Sequence, residues 1–79
     1  MKLPSIGSII ILKRIIDPIY DTGWSFGLNQ IGYVTGKKYL YNEKYNFSLF
    51  YPFMRKTYSE MPSYVFDDSL FEWEIIVPS

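Results

Sequence analysis

The chain contains no cysteine and no histidine among its 79 residues. Without cysteine it can form neither a disulfide nor a thiolate metal site. Without histidine it lacks the commonest general base and the commonest metal ligand, so Ser–His–Asp and Cys–His catalytic sets are excluded. We therefore expect a protein that is not an enzyme and that has neither a metal site nor a cofactor.

Long hydrophobic runs and helix-favouring stretches are also missing. The longest apolar run, 9–16, is interrupted by Lys13 and Arg14, and it is far shorter than the about 20 residues that a membrane helix needs. Alanine is absent, and proline or glycine recurs along most of the chain, which leaves few stretches long enough for a helix. Since the first residues also lack the apolar segment of a signal peptide, we expect no membrane insertion and a cytoplasmic location.

Aromatic residues are abundant instead: eight Tyr, six Phe and two Trp make up 20% of the chain. Each buried ring removes about 150–250 Å² from water, so a few rings can hold a small core together. The length predicts one domain, residues 1–79, of marginal stability. Eight phenols exceed what one small core needs, so we expect several tyrosines on the surface, where this residue is common in binding patches.

The formal net charge is zero, but the charges are unevenly distributed. Residues 1–58 carry eight basic and three acidic side chains, whereas residues 59–79 carry five acidic and no basic ones. Two interpretations remain open. Either a C-terminal acidic strand pairs with basic neighbours within the chain, or a bipolar surface steers a partner. The first interpretation is the simpler one.

Period-two alternation and turn residues predict an all-β fold of five short antiparallel strands. A long loop at 16–30 separates the first two strands, and an Asx turn or a single helical turn is expected at 67–69. Phe53 falls on the same face of the third strand as Phe47 and Tyr51, and Val77 is expected to face inward on the last strand. The predicted strands are 8–15, 31–35 with an extension to 41 across a bulge or turn at 36–38, 45–54, 55–59 and 70–77, with turns at 41–44 and 61–63.

The loop 16–30 carries several apolar rings, although a solvated loop needs none. These rings either close the core from below or face a partner. The second possibility gives our candidate binding site, in which aromatic side chains supply contact area at low entropic cost. The predicted partner-binding residues are Tyr20, Trp24, Phe26, Tyr51 and Tyr64.

A second set of residues mixes lysines with tyrosines around the hairpin at 41–44. Such sets can stack on bases and pair with phosphates, which gives nucleic-acid binding as an alternative function. An ordinary solvated hairpin has the same composition. The residues of this alternative site are Lys37, Lys38, Tyr39, Tyr41 and Lys44.

The segments 26–34 and 66–72, together with the strand layout, resemble the SH3-like small β-barrel. Within that class the chain is similar to photosystem I reaction-centre subunit IV and to the variable chain of ferredoxin–thioredoxin reductase. The resemblance implies a small five-stranded barrel or a strongly bent sheet. It also implies a non-catalytic accessory subunit that docks on a larger protein complex. Other possibilities are an inhibitor of the kind that viruses or mobile elements use to block a host enzyme, a nucleic-acid-binding barrel, and a homo-oligomer.

Overall fold

The fold is all-β, as the sequence predicts. The computed structural model describes residues 3–78, except for the side chains of residues 20–22. Five strands form one antiparallel sheet in the order β4-β3-β2-β1-β5. The strands are β1 (Ile9–Ile15), β2 (Ile31–Tyr41), β3 (Lys44–Tyr51), β4 (Lys56–Pro62) and β5 (Phe71–Ile76).

The sheet is open and strongly bent, and it is not closed into a barrel. Strands β4 and β5 are its two edges. The long strand β2 pairs with β1 through residues 31–33 and with β3 from Tyr33 onward, with a bulge between Val34 and Gly36. Strand β2 therefore joins the β1–β5 half of the sheet to the β3–β4 half. Because the sheet bends along β2, one face of both halves can pack against the same core.

Strand β1 lies in the interior of the sheet, between β2 and β5. Its isoleucines occupy both faces, and such a run of apolar residues on both faces is typical of an interior strand. Ile10 and Leu12 are fully buried in the core, whereas Ile9 and Ile11 point to the other face and are half-buried. This second face becomes important below.

The core is one cluster of ten buried apolar side chains. The strands contribute most of it, and the 3-10 turn Ser63–Phe66 adds Val65 and Phe66. The indole Nε1 of Trp73 in β5 donates a hydrogen bond of 2.6 Å to the carbonyl oxygen of Val65. This bond ties the turn to the last strand, so that the turn covers one end of the core.

The loop between β1 and β2 is not irregular throughout. It contains a 3-10 turn (Pro18–Tyr20), a four-residue helical turn (Asp21–Trp24) and a second 3-10 turn (Ser25–Gly27). None of the helical segments in the described part of the chain is long and apolar enough to cross a membrane.

The ends of two strands differ from the prediction. Strand β3 ends at Tyr51, because Met54 and Arg55 donate backbone hydrogen bonds back to Tyr51 and Pro52 and close a turn. The predicted continuation of this strand through Phe53 to Met54 is therefore wrong, and the ring of Phe53 is 78% exposed. Val77 lies beyond the end of β5 and is likewise exposed, not inward-facing.

The predicted turn at 61–63 is also wrong in its first two residues, which belong to β4. Met61 pairs with Phe47, and Pro62 pairs with Asn46. A bulge at residues 59–60, where Glu60 has a φ of 59°, realigns the strand after Tyr58. Proline is tolerated here because β4 is an edge strand and its free side needs no amide donor.

The acidic C-terminal strand pairs with basic neighbours, which confirms the simpler reading of the charge distribution. Lys13 Nζ lies 3.6 Å from Glu74 Oε1, and Arg14 Nη2 lies 3.8 Å from Glu72 Oε1. Both pairs link β1 to β5. All four side chains are exposed, so each pair contributes less than about 1 kcal/mol.

Candidate functional site

Two of the residues predicted to bind a partner lie in the core. Tyr51 is fully buried, and Trp24 is 6% exposed. The indole ring of Trp24 stacks on Phe26 at 5.5 Å and meets the edge of Phe71 at 5.6 Å between centroids. The expectation that Trp24 and Tyr51 form an exposed patch is corrected: the loop folds under the sheet, and its rings close the core.

The two remaining members whose side chains are described belong to different parts of the chain: Phe26 to the loop before β2, and Tyr64 to the Ser63–Phe66 turn. Phe26 is half-buried and stacks on Tyr58 of β4 at 4.7 Å, so it seals the gap between the loop and the sheet edge. The side chain of Tyr20 lies outside the described part of the structure. Tyr64, in the Ser63–Phe66 turn, is 45% exposed. Of the four described side chains, Tyr64 is the one that presents a large surface to solvent.

Tyr64 borders a groove of about 460 Å³ between the β2–β3 turn and the Ser63–Phe66 turn. A bulge between Tyr39 and Tyr41 leaves Leu40 beside the ladder, and its side chain is exposed. Pro62 pairs with Asn46 and leads directly into the turn that carries Tyr64. The apolar lining of the groove comes from Leu40, Tyr45, Pro62 and Tyr64.

The open end of this groove carries charges of both signs, from Glu43 and Lys44. Glu43 and its neighbour Asn42 have φ values of 60° and 47°, so the two central residues of the hairpin are both left-handed. Such a turn keeps the β2–β3 loop at two residues and matches the twist of the strands. It therefore fixes one wall of the groove in a rigid hairpin.

The residues of the alternative nucleic-acid site all lie on this same β2–β3 hairpin and are exposed. Two tyrosine rings of the hairpin, one of them in this set, are in contact with its lysines. Lys37 Nζ lies 4.6 Å from the centroid of Tyr45, and Lys44 Nζ lies 5.5 Å from that of Tyr41. Tyr39 meets Tyr45 edge-on at 5.4 Å. The ring faces that a base would stack on are thus partly covered.

A third surface was not predicted from the sequence. On the outer face of the sheet, Ile9 pairs with Tyr33 on one side and with Ile76 on the other, and Tyr33 pairs with Phe50. Directly paired residues project to the same face, so these four side chains form one row across four strands, which we call the outer row. The signal for it was the uninterrupted apolar run at 9–12 in a strand whose inner face needs only alternate residues.

Two titratable groups among the described residues, Tyr51 and Asp67, have shifted pKa values. Burial raises the pKa of the Tyr51 phenol to about 12, and the nearby Tyr58 adds to this shift. The Tyr51 hydroxyl has no hydrogen-bond partner among the described residues. In the Asx turn, which confirms the sequence prediction, the amide of Ser69 donates to Asp67 Oδ1 at 2.9 Å, and this bond lowers the pKa of Asp67. Among the side chains that the structure describes, no three carboxylates cluster as metal ligands would.

Comparison with known proteins adds no relative: no family model, no curated protein and no solved structure matches the chain.

Proposed function

We propose that the protein is a non-catalytic binding module that recognises another protein through the groove between the β2–β3 hairpin and the Ser63–Phe66 turn. The observation that carries the proposal is the groove itself. Segments separated by about twenty residues bring Leu40, Tyr45, Pro62 and Tyr64 around one concavity of about 460 Å³. Mostly apolar concave sites with a few polar groups are the usual form of a binding site.

The dimensions and lining fit an extended segment of a partner protein that inserts an apolar side chain. Tyrosine supplies a large rigid contact surface at low entropic cost, and it is enriched among residues that dominate binding energy. Glu43 and Lys44 lie at the rim, where charges select a partner and its orientation more than they add affinity. The accessory-subunit role implied by the SH3-like resemblance agrees with such a site.

Binding to a protein is preferred to binding to nucleic acid because of the lysine positions. Lys37 and Lys44 lie over the faces of Tyr45 and Tyr41, the faces that single-stranded bases would need for stacking. The ammonium groups would also have to leave these rings before they could pair with phosphates. The hairpin is therefore better suited to forming one side of a protein-binding groove than to stacking on nucleic-acid bases.

The test is a quantitative pull-down from nuclease-treated lysate of the native host, with three baits: the wild-type chain, Tyr64→Ala and the control Tyr39→Ala. Tyr39 is more exposed than Tyr64 and lies on the β2–β3 hairpin that forms one wall of the groove, but it does not line the groove. We expect a stoichiometric protein that the wild-type and Tyr39→Ala baits retain and that Tyr64→Ala loses at least tenfold. Equal retention by all three baits refutes the groove as the site.

The same three baits, used also with untreated lysate and over a range of salt concentrations, separate the alternatives. If binding disappears after nuclease treatment and falls steeply with salt, nucleic acid is the ligand and the lysines of the hairpin are its contacts. If the retained protein is an enzyme whose turnover falls when the purified chain is added, the module is an inhibitor. If turnover is unchanged or supported, it is an accessory subunit.

A further inference from the structure

The outer row is an apolar strip on the side of the sheet that faces away from the core. Tyr33, Phe50 and Ile76 are 37%, 36% and 47% exposed. Neither Ile9 nor Ile11 packs against the core cluster. Ile11 pairs with Ile31, which is also exposed, so a second apolar pair adjoins the row. Contiguous apolar surface of this kind on a small protein marks an interaction site.

We propose that this face is the interface of a symmetric homodimer, in which the outer row of one chain packs against the outer row of another. The proposal does not depend on the groove, with which the outer row shares no residue. In a twofold dimer the same patch serves both copies, so the surface must be complementary to itself. An apolar row that crosses four strands meets this requirement because it presents no charge that its own copy would repel.

The charges beside the row favour a second copy over an unlike partner. The four charged side chains on the same part of β1 and β5 are paired as Lys13–Glu74 and Arg14–Glu72. At this edge of the outer row, positive and negative side chains are equal in number, so no net electrostatic field steers a charged partner towards it. An equal number of acids and bases is also the composition that a self-complementary twofold contact requires. The formal net charge of zero also removes long-range repulsion between copies.

A dimer of ordinary size would use one whole side of the chain. A standard interface removes about 800 Å² of accessible surface from each partner, which is roughly a sixth of the 5156 Å² that this chain exposes. The outer row would form the apolar centre of that side, and the paired charges of β1 and β5 would lie at its edge. A chain of 79 residues has a small core, and oligomerisation is a common source of additional stability in proteins of this size.

The test is analytical ultracentrifugation of the purified wild-type chain over a wide concentration range, beside the double variant Tyr33→Thr/Phe50→Thr and the control Tyr39→Thr. Threonine retains high β propensity, so strands β2 and β3 keep their local preference. Tyr39 is an exposed tyrosine on the same strand as Tyr33, on the opposite side of the sheet. We expect the wild-type and Tyr39→Thr chains to dimerise. The double variant should have a dissociation constant raised by about 100-fold or more, the scale of losing two central rings.

A wild-type chain that stays monomeric at every concentration overturns the proposal, and so does a dimer that the double variant leaves intact. A second measurement needs no variant. On dilution of ¹⁵N-labelled wild-type protein, amide shifts should move at Ile9, Tyr33, Phe50 and Ile76. Shifts confined to other residues place the interface elsewhere and refute the proposal even if the double variant fails to fold.

Discussion

The ring of Tyr51 lies directly against the backbone of Gly32. A Cβ atom on Gly32 would lie 2.8 Å from Cε1 and 3.0 Å from Cζ of that ring. Glycine is therefore required on β2 for space and not for an unusual φ. The close approach lets the largest fully buried side chain of β3 fit beneath the bend of the sheet.

Gly32→Ala should lower the free energy of unfolding by about 1–3 kcal/mol, the usual cost of forcing extra volume into a packed core. Urea denaturation followed by tryptophan fluorescence measures the change. Gly23→Ala is the control, since a Cβ there has nothing within 4 Å. That variant should be neutral or more stable by about 0.4–1 kcal/mol. Equal stability of Gly32→Ala and wild type would show that the ring moves aside freely.

Tyr51→Phe should leave the free energy of unfolding at neutral pH unchanged or raise it by about 1 kcal/mol. The reason is that the Tyr51 hydroxyl is buried without a partner among the described residues, and a buried unpaired hydroxyl costs desolvation energy that phenylalanine does not incur. Thermal and urea denaturation of both proteins measure the difference. A loss of more than about 1 kcal/mol would show that the hydroxyl makes a favourable hydrogen bond after all.

The same phenol predicts alkaline destabilisation. In the unfolded chain Tyr51 titrates near its ordinary value of about 10, whereas burial raises its pKa in the folded protein to about 12. In the folded state the Tyr51 phenol keeps its proton to a higher pH than in the unfolded chain. Its contribution to the free energy of unfolding is therefore fully present below pH 10 and is lost as the pH rises through 12. The slope reaches about 1.4 kcal/mol per pH unit. Tyr51→Phe lacks this component, so a difference in slope between the two proteins isolates it from other tyrosines and lysines.

The sequence predicted the strands well because period-two alternation marks which residues face the core. The five strands, the interior position of β1 and the Asx turn at Asp67 all follow from local pattern. Strand ends were less predictable, since β3 stops at Tyr51 through backbone hydrogen bonds that no side-chain pattern encodes. Met61 and Pro62 belong to β4 only because a bulge realigns that strand.

The candidate sites were harder to predict because composition does not say which side of a fold a ring occupies. Trp24 in a polar loop suggested exposure, yet the loop has several helical turns that carry its indole under the sheet. Tyr64 was chosen as a binding residue and is exposed. The groove beside it depends on pairing between Asn46 and Pro62, a long-range contact that a single sequence does not reveal. The outer row likewise needs the register of four strands.

Glu43→Gly should raise the free energy of unfolding by about 0.5–1 kcal/mol, because Glu43 adopts a φ of 60° that disfavours a residue with a Cβ. Glu43→Ala is the matched control, since it removes the carboxylate and keeps the Cβ, and it should bring no gain. Denaturant midpoints of the three proteins give the comparison. A gain of equal size from alanine would assign the effect to charge instead of backbone strain.

Trp24→Ala should cost about 3–5 kcal/mol, the usual loss when a large buried ring is truncated. That cost approaches the entire stability of a marginal small domain, so we expect the variant to be largely unfolded at 37 °C. Ile19→Ala, on the same loop, removes a side chain that is 77% exposed and should change stability by less than about 0.5 kcal/mol. Circular dichroism melting curves of the two variants separate these outcomes. A folded Trp24→Ala protein with a wild-type melting curve would mean that the indole does not support the core, and it would restore Trp24 as a surface residue able to contact a partner.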